Sequence, residues 1–364
     1  MIRSIALAAP LAATLAIGAA VSAPVQPKSP NQRAWERFKR NRVGYRSLWV
    51  FLVLLVVATL AEVVSNDRPF VTRVDGKTFF PILKNPSDKD LGGDFLTSAD
   101  WKDPLIAEIV TRPGNWKIGT LNPHSANSTN YFATKPAPSA PDGTNWFGTD
   151  RFGRDMVARL LYGFRISIWF AMALTLTGTV IGVLMGAIQG YFGGRIDLGM
   201  QRVIEIWGAV PELYLLIIIA SIFEPSLLLL LILLSLWGWI GLSDYVRAEF
   251  LRNRSLEFVK AARALGLSSG QIIWRHVLPN SLTPVITFLP FRMSGAILAL
   301  TALDFLGLGV PSSVPSLGEL LKQGKDSLDA WWIIVPTFLL LTVTMLLLTF
   351  IGDALRDAFD TRKS

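Results

Sequence analysis

Residues 165–189, RISIWFAMALTLTGTVIGVLMGAIQ, decide the fold class, because no charged side chain follows Arg165 in this run. The hydrocarbon core of a bilayer is about 30 Å thick, and a helix crosses it with roughly 20 mostly apolar residues. The run therefore predicts a transmembrane helix. Glycine recurs on it at every fourth position, as Gly178, Gly182, Gly186 and Gly190. Such a stripe predicts close helix packing, and we favour packing inside the chain over contact with a partner subunit.

The composition places the whole chain in the membrane class. Of its 364 residues 51% are hydrophobic and 17% are charged, which is unlike an ordinary globular domain. Further apolar runs predict crossings at residues 48–60, 203–223, 226–243, 281–303 and 332–351. We therefore expect an all-α, polytopic membrane protein with six core transmembrane helices.

The distribution of basic residues predicts the orientation, because loops rich in Lys and Arg stay in the cytoplasm. Loop 244–280 has six basic residues against three acids, whereas segment 304–331 has two lysines against four acids. With the first crossing entered from the cytoplasm, loop 244–280, segment 190–202 and the tail lie inside. The net charge of +8 is thus an orientation signal, and we expect no nucleic-acid partner.

The first thirty residues allow three interpretations. Residues 1–23 contain an apolar run that ends in Val21-Ser22-Ala23, which is typical of a cleaved secretory signal. Six basic residues follow at 33–46 against Glu36 alone, and cleavage would export them, contrary to the positive-inside rule. We therefore expect residues 1–23 to be retained. An additional or interfacial helix and a start codon upstream of the true one are the alternatives.

The chain divides into segments of different character. Residues 65–150 are rich in Pro, Asn, Asp, Gly and Ser, which predicts an extramembrane insert of irregular loops. The expected segments are an N-terminal apolar extension (1–30), a basic segment with the first core helix (31–64), a periplasmic insert with a pre-helix motif (65–164), a helical core (165–352) and a cytoplasmic tail (353–364).

Loop 244–280 is too polar to cross a membrane and predicts an elbow of two short helices. Ser255 is the expected N-cap of the first helix, and Gly266 suits the left-handed residue that ends it. At helical spacing, one face of this helix would carry Phe258, Ala261, Ala262 and Leu265.

The second helix of the elbow has its own start and stop signals. Ser268 and Gln271 have the spacing of a capping box, which predicts the start of the helix. Pro279 is expected to stop it, because proline has no backbone N–H to donate. The elbow should therefore be compact and project from the membrane.

The same loop resembles a known family. Residues 258–266, FVKAARALG, and 275–280, RHVLPN, resemble the EAA loop of ABC importer permeases in its peptide-transporter form. They depart from the consensus at Lys260, where glutamate is usual, and at His276, where isoleucine is usual. In that family the loop docks into a cleft of the ATPase subunit. The resemblance implies such a coupling role for Ala261, Ala262, Gly266, His276, Leu278 and Pro279.

Two further groups of motifs strengthen the resemblance. NWFGTD at 145–150 and RLLYG at 159–163 resemble the segment before the second helix of the DppC and OppC class. DFLGLG at 304–309 and PSLG at 315–318 resemble the same class. The long insert and the residues NQRAW at 31–35 are most similar to its YejE-type branch.

The resemblance implies a MetI-like permease fold and import of oligopeptides or peptide-like compounds by alternating access across a bacterial inner membrane. It implies four kinds of partner: a homologous second permease, ABC ATPase subunits that use ATP and Mg, a periplasmic peptide-binding protein and the lipid bilayer. Two alternatives stay open. One is a permease of the same class for another solute, such as nickel or opines, and the other is a membrane scaffold that transports nothing.

Three ionisable residues lie within apolar segments, namely Glu205, Glu212 and Arg292. A charge near a helix centre is costly in lipid, so each is expected to face protein or water. Structural pairing is one interpretation. The other is a pathway residue that meets a peptide carboxylate or main-chain carbonyl groups.

The sequence predicts no enzyme, bound cofactor or metal site in this chain. It has no cysteine and only two histidines, which are far apart. Gly76-Lys77-Thr78 is similar to the end of a phosphate loop, but Val71 stands where that motif needs glycine. ATP hydrolysis is therefore expected on separate subunits, and we predict no catalytic residue.

Overall fold

The computed structural model of the chain describes residues 29–129 and 135–360, so the signal-like residues 1–23 lie outside the described part. In chain order its helices are α1 (Pro30–Arg40), α2 (Arg42–Thr59), α3 (Ala61–Val64), α4 (Pro104–Thr111), α5 (Met156–Phe192), α6 (Gly194–Gly208), α7 (Glu212–Ile222), α8 (Leu227–Gly238), α9 (Ile240–Asn253), α10 (Glu257–Ala264), α11 (Ser269–Ile272), α12 (Leu278–Leu306), α13 (Leu317–Asp326) and α14 (Trp331–Phe359). A π-helical segment, Ile273–Val277, joins α11 to α12, and a 3₁₀ turn spans Lys89–Leu91. The described strands are β1 (Val71–Val74), β2 (Lys77–Phe79) and β3 (Trp116–Ile118).

Several helical segments of the described chain are long and apolar enough to cross a membrane. They are Arg42–Thr59, Met156–Phe192, Leu227–Asn253, Ser269–Leu306 and Trp331–Phe359. A further crossing is possible where α6 and α7 pass the same test as a pair bent by 62°. The bend divides the crossing predicted at 203–223, because Pro211 has no backbone N–H to continue α6. The last crossing also extends beyond its predicted end, so the tail is helical to Phe359.

The long helix α5 lies at the centre of the bundle. It packs against α8, α9 and α12, while α14 packs against α2 on one side and α12 on the other. The shared core is apolar and includes the fully buried side chains of Ile168, Ile297 and Ile333. These helices therefore form one packed body.

The glycine stripe on α5 lies inside this body. Its residues Gly178, Gly182, Gly186 and Gly190 all face residues 238–251. A Cβ on Gly182 would lie 2.9 Å from the carbonyl oxygen of Trp239, which is shorter than real Cβ contacts allow. Any larger residue would therefore push α9 away from α5.

The insert after α3 is more regular than its composition indicates. Strand β1 lies between β2 and β3 and pairs antiparallel with both. Asp75 and Gly76, both with positive φ, turn the chain between β1 and β2. The sheet and α4 enclose a small core of Val74, Leu91, Ala99, Trp101, Ile106, Ile109 and Val110. The prediction of irregular loops is therefore wrong for residues 71–79 and 104–118, which form short regular elements, and holds for most of residues 80–103.

The connecting segments lie at two opposite ends of the bundle. At the insert end, residues 65–155 meet residues 307–330. The start of α14 is also here, because Trp332 Nε1 donates to the carbonyl oxygen of Thr149 at 3.1 Å. At the elbow end, residues 254–280 meet the end of α5, and Arg254 donates to the carbonyl oxygen of Tyr191 at 3.2 Å. Helix α1 is also at the elbow end, where it packs on the last turns of α14. The two segments predicted to lie outside thus share one end.

Candidate functional site: an elbow and a charged cavity

The first helix of the elbow, α10, ends as the sequence predicts but begins differently. Gly266 follows the last turn with a φ of 80°, the left-handed conformation that glycine favours. Ser255 does not cap the helix, because its hydroxyl donates to the carbonyl oxygen of Arg252 at 2.8 Å. Leu256 occupies the N-cap position without a side-chain bond. The predicted cap is therefore wrong, because Ser255 bonds back to the end of α9.

The second helix of the elbow begins with the predicted capping box. Gln271 N–H donates to the hydroxyl of Ser268 at 3.4 Å, and Ser268 N–H donates to Gln271 Oε1 at 3.0 Å. The predicted stop near Pro279 is wrong, because one helix runs from Ser269 to Leu306. The wider π-helical turn before Pro279 accommodates the missing N–H donor without ending the helix. The elbow is therefore continuous with a membrane helix.

Helix α10 has a buried face that belongs to the elbow itself. Val259 and Ala262 are 0% and 5% exposed and lie in one cluster with Ile272 and Val277. The predicted face of Phe258, Ala261, Ala262 and Leu265 is therefore wrong for Ala262, which packs inward. Its small side chain permits close packing within the elbow.

The elbow also presents apolar side chains to solvent. Leu265 is 80% exposed and Trp274 is 61% exposed, and Phe258 and Ala261 are exposed as well. His276 and Leu278 are half-buried and Pro279 is exposed. The sequence pattern did not single out Trp274. We name the set of Phe258, Ala261, Leu265 and Trp274 the elbow patch.

Polar contacts join the helices on either side of the elbow. Asn253 Nδ2 donates to the hydroxyl of Ser281 at 2.9 Å, and both side chains are buried. On α9, Arg247 forms a two-pronged ion pair with Asp197 of α6, with N–O distances of 2.5 and 2.7 Å. Such paired contacts define geometry as well as adding stability.

A cavity of about 260 Å³ lies between α5, α7, α8 and α12. It contains two of the three predicted ionisable residues, Glu212 and Arg292. Arg292 Nη2 donates to the carbonyl oxygen of Gly238 at 2.7 Å, at the break between α8 and α9. Glu205 lies elsewhere, in an exposed ion pair with Arg202. The structure therefore brings Glu212 and Arg292 together and separates Glu205 from them.

At the insert end, motifs that are distant in sequence meet in a buried ionic network. Arg159 is fully buried and donates to Glu319 Oε2 at 2.5 Å, across 160 residues of sequence. Arg154 donates to Asp150 Oδ2 at 2.7 Å and to the carbonyl oxygen of Ser312 at 2.8 Å. Sequence analysis missed this network, although Asp150 and Arg159 within the first motif group and Glu319 directly after the second were a visible signal. It fixes the start of α5 to the loop before α13.

The glycines of the second motif group are explained by the packing around Asp304. Its carboxylate accepts from the hydroxyl of Ser316 at 2.5 Å and from Val310 N–H at 3.0 Å. A Cβ on Gly309 or Gly318 would collide with Asp304. The loop from α12 to α13 therefore needs glycine at both positions.

Two basic groups of the insert lie close together, a buried His124 and a half-buried Lys102. Burial lowers the pKa of His124, with a smaller contribution from the charge of Lys102. Burial likewise lowers the pKa of Lys102, whose Nζ donates to the hydroxyl of Ser128 at 3.0 Å. Within residues 29–129 and 135–360, no group of three or more His, Asp or Glu side chains could hold a metal ion.

The comparison with protein families covers the elbow and the cavity. Residues 178–364 match the family described as "Binding-protein-dependent transport system inner membrane component". The chain belongs to this permease family. Residues 29–86 match the family described as "N-terminal TM domain of oligopeptide transport permease C". The matches place the permease core and the first crossing in the same class of protein.

Individual permeases are similar in sequence to this chain over nearly its whole length. The inner membrane ABC transporter permease protein YejE of Escherichia coli is 47% identical over 92% of this chain and 98% of that protein. The peptidoglycan transport system permease protein YejE of Agrobacterium fabrum is 42% identical over 93% of this chain and 96% of that protein. The dipeptide transport system permease protein DppC of Lactococcus lactis is 31% identical over 92% of this chain and 91% of that protein. The resemblance to the YejE-type branch is confirmed.

Membership of this permease family establishes the class and the location. The protein is a helical, multi-pass permease of the inner membrane and a subunit of an ABC transporter. Its relatives are likewise named as permease proteins of ABC or dipeptide transport systems. The predicted fold class and localisation are therefore confirmed.

Proposed function

We propose that this chain is the translocation subunit of an ABC importer that moves oligopeptides or peptide-like compounds into the cytoplasm. Similar permeases are named for dipeptide, oligopeptide and peptidoglycan transport, which supports this substrate class. The match of residues 29–86 to an oligopeptide permease domain points the same way. Its partners in this proposal are a homologous second permease, separate ATPase subunits that use ATP and Mg, and a periplasmic peptide-binding protein.

The observation that carries the proposal is the continuous helix from the elbow to the cavity. Ser269 and Arg292 lie on one helix, about 35 Å apart at 1.5 Å per residue. ATP-driven closure of the ATPase subunits displaces the elbow patch, and this helix transmits the displacement to the cavity. The bundle thereby opens alternately to each side.

The elbow patch is the docking surface in this proposal, and matched exposed leucines test it. Leu265 is 80% exposed on the elbow and Leu96 is 82% exposed on the insert. Leu265→Asp should abolish co-purification of the ATPase subunits, whereas Leu96→Asp should leave it intact. Equal recovery of ATPase with both variants would remove the elbow patch from the interface.

The proposal places the elbow end in the cytoplasm and the insert end in the periplasm. The chain has no cysteine, so single thiols can be introduced at the exposed residues Ser98 and Ser268 without background from this subunit. In intact spheroplasts an impermeant thiol reagent should label Ser98→Cys and spare Ser268→Cys. The reverse pattern would show that the orientation is inverted.

Uptake by a deletion strain tests the substrate class. Restoring the gene should restore growth on defined oligopeptides that supply a required amino acid. Restored uptake of nickel or of opines without peptide uptake would assign the permease to another solute. Purification from membranes without any ATPase would instead favour a scaffold.

A further inference from the structure

The cavity of α5, α7, α8 and α12 holds two charges that the rest of the described chain leaves without a counter-ion. Within residues 29–129 and 135–360, Glu212 makes no hydrogen bond or ion pair. In the described chain Arg292 bonds only to the carbonyl oxygen of Gly238, and its Nε is buried without an acceptor there. Ionisable side chains inside membrane segments are costly, and those that persist mark pairs or substrate paths.

The geometry around Arg292 argues against a simple structural pair. An arginine has five N–H donors, and only one acceptor faces this guanidinium in the described chain. Gly178 makes room for it, because a Cβ there would lie 2.6 Å from Nη2. Glu212 lines the same cavity without bonding to Arg292. Both charges therefore remain available to a ligand.

The remaining wall of the cavity suits the end of a peptide. Trp237 and Ala296 supply apolar surface, and the Thr175 hydroxyl is buried behind the wall without a hydrogen-bond partner in the described chain. Pockets that enclose drug-sized ligands measure about 300–1,000 Å³, so a cavity of about 260 Å³ admits the end of a chain and not a whole oligopeptide. Gly295 lies on the exposed side, where a Cβ would meet no atom within 4 Å.

We propose that this cavity is a transit site for the charged ends of a peptide. Arg292 binds the C-terminal carboxylate and Glu212 binds the N-terminal ammonium group as each end passes. A guanidinium matches the two oxygens of a carboxylate, and a carboxylate accepts the hydrogen bonds of an ammonium group. This inference rests on the proposed import function and adds the atoms that contact the substrate.

A thiol placed at Gly295 reports whether a peptide occupies the cavity. The chain has no cysteine, so mass spectrometry of Gly295→Cys follows a single thiol in this subunit. Maleimide labelling is measured in the purified permease and ATPase complex with trialanine, with C-amidated trialanine or with N-acetylated trialanine. Gly199→Cys on α6 is the matched control, because a Cβ there also meets no atom within 4 Å.

Trialanine at ten times its half-protecting concentration should slow labelling of Gly295→Cys about tenfold and leave Gly199→Cys unchanged. Amidation removes the carboxylate and should raise the half-protecting concentration about 10- to 100-fold. Arg292→Gln keeps a donor for the Gly238 carbonyl but not the charge. In the Arg292→Gln variant, free and amidated trialanine should therefore protect the thiol of Gly295→Cys equally. Glu212→Gln should likewise abolish the preference for free over acetylated peptide.

Free and amidated trialanine are compared with Arg292 intact. This comparison therefore tests the proposal even if the Arg292→Gln subunit fails to assemble. Equal protection by free and amidated peptide would overturn the proposal, as would a thiol at 295 that is never labelled because a partner permease covers the cavity. Peptide uptake with either of those results would leave the import function standing. Absence of both peptide uptake and peptide-stimulated ATP hydrolysis would contradict the import function itself.

Discussion

The two ends of the bundle are held together by different physical means. At the insert end, the fully buried Arg159 bonds to Glu319, and Arg154 bonds to Asp150 beside it. At the elbow end, the short α10 packs on a small apolar cluster, and its Lys260–Glu257 ion pair is exposed. Separating buried charged groups leaves them unpaired, which costs much free energy, so they hold the helices in one arrangement. Separating a small apolar contact costs less free energy. The comparison indicates a rigid insert end and, at the elbow end, a helix α10 that can move.

The largest expected effect is at the insert end. Arg159→Leu removes a fully buried cation from Glu319, which is 14% exposed and keeps only Arg154 and Gln323 as partners, so the free energy of unfolding should fall by about 3 kcal/mol. Arg202→Leu removes an exposed arginine from Glu205 and should cost about 0–1 kcal/mol. Thermal denaturation of the purified variants measures both. Similar midpoints for the two would contradict the assignment of rigidity to the ionic network.

Substitutions of two neighbouring alanines of α10 should distinguish an effect on stability from an effect on ATPase docking at the elbow end. Ala262→Trp overfills the buried face of the elbow and should lower the free energy of unfolding by about 1–3 kcal/mol. Ala261→Trp lies on the exposed elbow patch and should leave stability unchanged while weakening ATPase association. Denaturation and co-purification of each variant give the two readouts. If Ala261→Trp were the more destabilising change, the observed orientation of α10 would be wrong.

A substitution in the turn between the elbow helices should change the free energy of unfolding less than Ala262→Trp does. Gly266→Val places a β-branched residue at a φ of 80°, which should cost about 1–2 kcal/mol and misdirect α11. Substrate-stimulated ATP hydrolysis should fall with it. Gly270→Val, where a Cβ would meet no atom within 4 Å, is the control and should retain coupling. Full coupling in both variants would mean that the left-handed turn is dispensable.

The smallest expected effect is a pH dependence of the insert. Burial holds the folded pKa of His124 below its ordinary value of 6.5, so the unfolded chain binds a proton more readily. The stabilisation from His124 is complete above pH 6.5 and is lost as the pH falls below it. Limited proteolysis of the insert should therefore accelerate as the pH falls below 6.5, and His124→Gln should flatten that slope. His276→Gln, at the elbow end, should leave the slope in place.

Patterns local in sequence predicted much of this fold. Uninterrupted apolar runs predicted the membrane helices, because a bilayer core has a fixed thickness. The capping box at Ser268 and the left-handed Gly266 were predicted correctly, because each involves bonds among neighbouring residues. The family resemblance also rested on short contiguous motifs.

The failed predictions concern choices between competing partners. Ser255 bonds back to Arg252 instead of capping α10, and Pro279 sits within a helix because the preceding π-helical turn makes room for it. In the insert, strands pair across the loop at 80–115, a separation that turn composition does not encode. The strand pairing depends on contacts between distant residues, whereas at Ser255 and Pro279 the chain adopts one of two local arrangements that the sequence pattern does not rank.

The sequence by itself determined the membrane class, the glycine stripe and the candidate charges, because composition and helical period depend only on neighbouring residues. Tertiary structure alone decided that Ala262 faces inward, that Glu319 lies beside Arg159, and that Glu212 and Arg292 share one cavity without bonding to each other. The physical reason is that burial and ion pairing are properties of several packed helices. Residues far apart in the chain acquire their chemistry from that packing.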